Sequence, residues 1–200
     1  MLLLVVECNG DSVMATTEKT EINGVDVSAL EEAVEAISDD TDVGRFQFRA
    51  ETEWEDALKA TTTINAFEQA GETIHTRDFT LQGDEPEQIL GERTAPNAVE
   101  LLLGALGSCL SVGYAANAAA MDIELDDLRF EMEGDIDLRG FLGISEDVRP
   151  GYETIRCTTY VSTDAPEEQL EELRERVEAT SPLMDVITTD VPLETQLISE

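Results

Sequence analysis

Cationic side chains are what this sequence has least of. Its 200 residues include two lysines (Lys19 and Lys59) and ten arginines against 45 acidic residues, for a formal charge of −33. The acid is spread along the whole chain, so the negative field belongs to the entire surface. Such a field repels nucleic-acid phosphates and anionic membranes, and neither is an expected partner. It also makes the molecule self-repelling unless salt screens it, which points to a high-salt, halophile-like cytoplasm. Cysteine is scarce too. Cys8, Cys109 and Cys157 are scattered, which excludes a disulfide framework and favours a reducing cytoplasm. With His75 as the lone histidine and no Cys-x-x-Cys, no metal site is expected. No Gly-x-x-x-x-Gly-Lys loop is present, and no cofactor is expected. The opening MLLLVVE is too short to span a membrane, and no basic residues precede it as in a secretory signal.

What the chain does have is one long apolar stretch, Pro96 to Met121 (PNAVELLLGALGSCLSVGYAANAAAM). Between Val99 and Asp122 its only charged residue is Glu100. A helix this apolar on nearly every face is expected to be buried, with other elements wrapped around it. Pro96 suits a first-turn position, and Gly107 and Gly113 predict a kink or break near Cys109. Gly104, Gly107 and the alanines from Ala115 to Ala120 leave room for another helix to approach closely. Cys109, in the middle, is either a small core filler or a reactive thiol on a rigid support. If residues 100–109 form one helix, Glu100 lies about 13 Å from Cys109 along the axis and on the opposite side. It then serves a partner's thiol across a dimer interface, or simply favours the helix dipole.

The remaining chain reads as α+β. Residues 1–44 form an amino-terminal extension with a short helix, and 45–200 the main domain. Met14 precedes a normal-looking polar amino terminus, so residues 1–13 are expected to be an upstream extension from a misassigned start. Ser28 and Glu31 predict a capping box on a helix over Ser28–Ser38, with Leu30, Val34 and Ile37 on one side. Period-two alternation predicts strands at Phe46–Ala50, Ala60–Phe67 and Thr73–Leu81, with a turn at Glu55-Asp56. A polar loop runs from Gly83 to Pro96. Further strands are expected at Leu125–Asp137 and Thr154–Val161, then a helix over Glu167–Ala179 with Leu170, Leu173 and Val177 inward. The short apolar piece LMDVI follows, and VPLETQLIS is expected to close the chain as a strand. Cys157 shares a strand face with Ile155 and Val161 and is expected in the core.

At DEPEQILG…APNAVELLLGALGSCL the chain resembles the OsmC/Ohr family, the osmotically induced and organic-hydroperoxide-resistance proteins. The family pattern is a D-E-P…G-G loop followed by N-P-x-E-L-L-L-x-A-L-x-S-C. Here Asp84-Glu85-Pro86, Asn97 and Glu100 through Cys109 stand in register, with Ala98 in place of the usual proline. DIDLRGFLG, VRPGYETIR (Val148–Arg156) and ATSPLMDVI resemble one branch of the family, and the likeness runs from about Arg45 to Ile198. It implies an OsmC-like α+β fold in which long buried central helices are wrapped by antiparallel β-sheet in an intertwined homodimer.

The resemblance also implies a chemistry. In peroxidase members one cysteine attacks the peroxide, an arginine stabilises its thiolate, a glutamate holds the arginine, and a second cysteine resolves the sulfenate. The first cysteine corresponds to Cys109. The resolving position, C-P-V in two-cysteine members, reads Ser181-Pro182-Leu183 here. The organic-hydroperoxide branch places the glutamate ten residues before the cysteine, where this chain has Val99 with Glu100 beside it. Arg49, Arg77 and Arg93 are the candidate thiolate stabilisers. The expectation is single-cysteine, thiol-dependent reduction of organic or hydrogen peroxides in oxidative-stress defence, with an external thiol as reductant. The alternative is a non-enzymatic dimer that holds a small hydrophobic ligand in the cleft beside the cysteine.

Overall fold

The computed structural model describes residues 21–75 and 78–199. A minimal hairpin of β1 (Glu21–Ile22) and β2 (Val25–Asp26) turns through Asn23 and Gly24, both with left-handed backbone, and leads into α1 (Val27–Asp39). The expected capping box at Ser28 does not form. Ser28 is already inside the helix, and the carboxylate of the extended residue Asp26 accepts the Ala29 N–H instead.

The next six strands are β3 (Phe46–Gln47), β4 (Glu51–Asp56), β5 (Lys59–Ile64), β6 (Phe67–Gln69), β7 (Glu72–Ile74) and β8 (Phe79–Gly83). They form two antiparallel three-stranded sheets, ordered β3-β6-β7 and β4-β5-β8. The three strands predicted from alternation are therefore cut differently. Ala60–Phe67 divides at Asn65, whose side-chain carbonyl accepts the Ala66 N–H, and its halves enter different sheets. Thr73–Leu81 splits between β7 and β8, and Phe46–Ala50 keeps only its first two residues as strand. The β4–β5 turn falls at Ala57-Leu58 rather than Glu55-Asp56. Ala57 takes the left-handed conformation, and the Trp54 indole N–H donates to its carbonyl at 3.0 Å.

Register gives the β4-β5-β8 sheet two chemically distinct faces. Trp54 lies opposite Ala60, Thr62 opposite Leu81, and Ile64 opposite Phe79 on one face. The other face carries Glu51, Glu53, Thr61, Thr63, Thr80 and Gln82. The apolar face is not covered by the described residues of the protomer, and Trp54 is 72% exposed.

The loop after β8 leads to the long helix α2 (Ala98–Ala120), followed by β9 (Asp127–Asp135), α3 (Leu138–Phe141), β10 (Thr154–Ser162), α4 (Glu167–Thr180) and α5 (Pro182–Thr188). Pro96 precedes the N-cap Asn97 rather than occupying the first turn. α2 runs unbroken through Gly107 and Gly113. At Gly113 a Cβ would lie 3.0 Å from Val177, so this glycine lets α4 pack closely. β9 and β10 pair antiparallel, and Leu128, Phe130, Met132 and Ile155 pack against the core. That core is Leu106, Leu110, Tyr114 and Ala118 of α2 with Ile123, Leu173 and Val177, and Tyr114 meets Phe130 edge to face at 5.5 Å. Burying Leu173 and Val177 completely contributes roughly 2–3 kcal/mol each.

Two expectations of burial and pairing are corrected here. α2 is buried along one side only: Gly104, Ala105, Ser108, Ser111 and Val112 are exposed. The closing stretch, Val191–Ser199, is not a strand, because no described strand edge pairs with it in the protomer, and Leu197 is 96% exposed. The fold class is nonetheless the expected α+β with antiparallel sheets.

Candidate active site

Cys109 sits in the middle of α2, half-buried, with its Sγ 3.3 Å from Ser181 Oγ. Ser181 lies 72 residues further along the chain and is only 6% exposed. Its position is fixed from both sides. Its N–H closes α4 by donating to Val177 at 2.9 Å, and its carbonyl accepts the Asp185 N–H at 3.1 Å. Its hydroxyl caps α5 by accepting the Met184 N–H at 3.3 Å, with Pro182 in the first turn. A bent junction between two helices thus holds one hydroxyl against one sulfur. Among the described residues the hydrogen-bond partner of Cys109 is Ser181, and no arginine bonds the thiol within the protomer.

The other named residues do not converge on this pair. Glu100 completes a capping box: Asn97 Oδ1 accepts the Glu100 N–H, and Glu100 Oε2 accepts the Asn97 N–H, each at 2.9 Å. Because α2 is continuous, Glu100 lies more than two helical turns from Cys109. Arg49 is held by Glu68 and Gln47, each at 2.6 Å. Arg93, with left-handed backbone, lines a cavity of about 260 Å³ with Pro86, Thr94, Pro96 and Glu100, and makes no ion pair among the described residues. Arg77 and Cys8 lie outside the described residues.

Cys157 is exposed rather than in the core. Its face of β10 does point inward, but the space opposite is a cavity of about 370 Å³ lined by Leu110, Tyr114, Arg174, Glu178 and Met184. Partial desolvation pushes its thiol up from the ordinary value, against a weak interaction with Thr159. Cys157 is therefore held as the neutral thiol, the poorer nucleophile. Among the described residues no three His, Cys, Asp or Glu side chains gather as a metal cluster.

Two supporting residues carry weight that pattern reading did not assign. Asp84, 3% exposed, accepts the N–H groups of Glu85, Glu92 and Thr94 and the Thr94 hydroxyl. The Thr94 N–H leads in lowering its carboxyl to about 2. This carboxylate folds the loop that delivers the chain to α2, and Gly91 has no room for a Cβ against the Glu85 backbone. Tyr152 donates its hydroxyl proton to the Val99 carbonyl at 2.9 Å and lays its ring where a Cβ on Gly134 would stand. The available signal was an aromatic residue just after Pro150-Gly151 and a glycine inside a predicted strand.

Residues 91–196 match the family model described as OsmC-like protein. No curated protein matches the chain. Among solved structures, an OsmC-like protein from Mycoplasma pneumoniae superposes with a TM-score of 0.56 at 15% identity, covering 71% of this chain and 87% of that one. An organic hydroperoxide resistance protein OsmC from Legionella pneumophila gives 0.50 at 15% identity, covering 70% and 88%. At such identities the superpositions speak to the fold. The family match, over more than half of the chain and including both Cys109 and Ser181, makes this protein a member of the OsmC-like family.

Proposed function

We propose that the protein is a cytoplasmic thiol-dependent peroxidase that uses Cys109 as its single redox-active residue. The observation that carries this reading is the Cys109–Ser181 contact. A thiol in the family's register faces the residue that occupies the second-cysteine place, at hydrogen-bond distance. The hydroperoxide resistance named for the Legionella relative agrees with it. The Cys109 thiolate attacks the distal peroxide oxygen, the O–O bond breaks, and the alkoxide leaves and takes a proton to become the alcohol. Sulfur is thereby oxidised to sulfenic acid. Serine cannot form a disulfide, so an external monothiol condenses with the sulfenic acid, releasing water, and a second thiol frees Cys109 as the disulfide departs.

A homodimer completes the site in this reading. A glycine inside a helix costs about 1 kcal/mol relative to alanine, yet a Cβ on Gly104 would touch none of the described residues of the protomer. Close approach of a second α2 explains it. A two-fold antiparallel crossing centred on Gly104-Ala105 puts residue 100 of one helix opposite residue 109 of the other, because 104.5 is midway between them. Each Glu100 then lies level with the partner's thiol along the helix axis, and Arg93, which lines the same cavity as Glu100, is the candidate to supply the cation that the protomer's own site lacks among the described residues.

The test is peroxide consumption with a monothiol reductant in high salt, wild type against Cys109→Ser. Turnover in the wild type alone is expected, with organic hydroperoxide oxidising Cys109 faster than Cys157. Equal, slow oxidation of both cysteines rules the reading out. A second reading is a non-catalytic holder of a hydrophobic ligand, for which the cavity of about 370 Å³ lies beside Cys157 and is not lined by Cys109. That reading requires ligand binding to survive Cys109→Ser and peroxide consumption to be absent.

A further inference from the structure

The proposed chemistry needs the Cys109 sulfur as a thiolate, and apolar surroundings oppose that charge. Resting on that reading, we infer that Ser181 is more than a vacant resolving position: its hydroxyl donates the hydrogen bond that holds the Cys109 sulfur in its anionic form. For an anionic sulfur the valence count requires this direction. A serine oxygen carries one proton and two acceptor lone pairs. One lone pair already accepts the Met184 N–H. A thiolate has no proton to give, so at 3.3 Å the contact to Cys109 uses the serine proton. When the sulfur is protonated the hydroxyl still donates to it, because accepting the S–H instead would leave the buried serine proton without an acceptor among the described residues.

The placement suits this role. The residue is buried, and its backbone is tied into α4 through Val177 and into α5 through Asp185. The donor therefore needs little reorganisation when charge appears on the sulfur. Hydrogen bonds to a charged group are roughly twice as strong as neutral ones. The same proton then bonds the sulfenate oxygen after oxidation, and that product waits for a small external thiol.

Alkylation of Cys109 by iodoacetamide, followed by peptide mass spectrometry, tests the inference without using peroxide. Ser181→Ala should slow alkylation at neutral pH about tenfold relative to wild type, with the difference vanishing at high pH where both thiols ionise. Ser181→Thr keeps the hydroxyl and should restore the rate. Ser181→Asp keeps a good cap for α5 but sets a carboxylate against the sulfur, and should be at least as slow as alanine. Thermal unfolding of all three variants identifies any loss of fold. Alkylation unchanged in a folded Ser181→Ala, or slowed there and fully restored by Asp, overturns the inference, because either result is what a purely capping role allows. A wild type that alkylates as expected yet consumes no peroxide would instead refute the peroxidase reading and leave this one standing.

Discussion

Replacing Ser181 by cysteine should convert the one-cysteine site into a two-cysteine site. The side-chain contact already exists at 3.3 Å, and the backbone at 181 is held by hydrogen bonds on both sides. A second sulfur therefore arrives in bonding range with only rotamer adjustment at Cys109. After one equivalent of an organic hydroperoxide, the Cys109 sulfenic acid should be attacked by the introduced thiol and close an intramolecular disulfide, with water leaving. The loop so closed contains the 72-residue separation, for which chain-entropy bookkeeping gives about 4 kcal/mol. The oxidised Ser181→Cys protein should then melt on the order of 10 °C above its reduced form. Wild type should show no such shift on oxidation. The assay is differential scanning of oxidised and reduced protein in high salt, with peptide mapping to identify the bridge. Reductant dependence should change with it, from monothiols toward dithiols, since the leaving cysteine must be displaced from an intramolecular disulfide. Overoxidation of Cys109 to sulfinic acid in the variant, with no peptide bridging Cys109 to the introduced cysteine, would refute the claim that the two side chains face each other productively.

Other outcomes follow from the same geometry. Asp84, whose carboxyl is lowered in the folded state, contributes stability that is full above about pH 4 and is lost as pH falls toward 2; Asp84→Asn should lower the melting temperature at pH 6, with the gap to wild type closing in acid. Gly113→Val forces atoms into Val177 at 3.0 Å and pushes α4 off α2, so it should destabilise by about 1–3 kcal/mol and separate Ser181 from Cys109, read as slower Cys109 alkylation. At Gly104 an added Cβ meets none of the described residues, so Gly104→Leu should leave the monomer folded while abolishing the dimer in sedimentation, together with peroxidase activity. Two copies at −33 each repel strongly, so dimer and activity should both decline as salt falls from about 1 M to 0.1 M and the screening length grows from about 3 to 10 Å.

What was legible in the sequence was legible for local reasons. α2 is long, apolar and preceded by an asparagine, and it forms where its composition predicts. The register from Glu100 to Cys109 survives because nothing breaks the helix: Gly113, expected to help kink it, instead accommodates Val177. Less legible features depended on what lies across a gap. Alternation placed Cys157 on the inward face of β10 correctly, but alternation cannot say whether a neighbour fills the space opposite, and there it is a cavity. The stretch at Val191–Ser199 alternates as a strand should, yet a strand needs a free edge beside it. The turn at Ala57 carried no glycine or asparagine to announce its left-handed backbone, so the acidic pair before it drew the prediction.

The misses over α2 and Val191–Ser199 share one cause, which bears on the function. The sequence is composed for more burial than a single copy provides. It wrote α2 as apolar on all sides, gave the β4-β5-β8 sheet an apolar face carrying Trp54, and ended in an alternating segment with no edge to join. A chain with 45 acidic residues does not leave such surfaces bare without consequence, since exposed apolar patches of this extent mark interaction sites. The electrostatics of the site lead to the same conclusion. Among the described residues of one protomer the thiol meets a hydroxyl but no guanidinium, while Arg93 stands without an ion pair at the head of the helix, supported by the Asp84 loop. Among the described residues Arg93 shares the lack of an ion pair with Arg149 and Arg176, and it stands beyond Glu100, at the wrong end of α2 to serve its own cysteine. In the homodimer proposed above, a second copy would meet both shortfalls with one operation, covering the bare side of α2 and bringing each Arg93 to the level of the other's sulfur. On this view the acidic surface sets the salt at which that pairing, and with it the chemistry, becomes available.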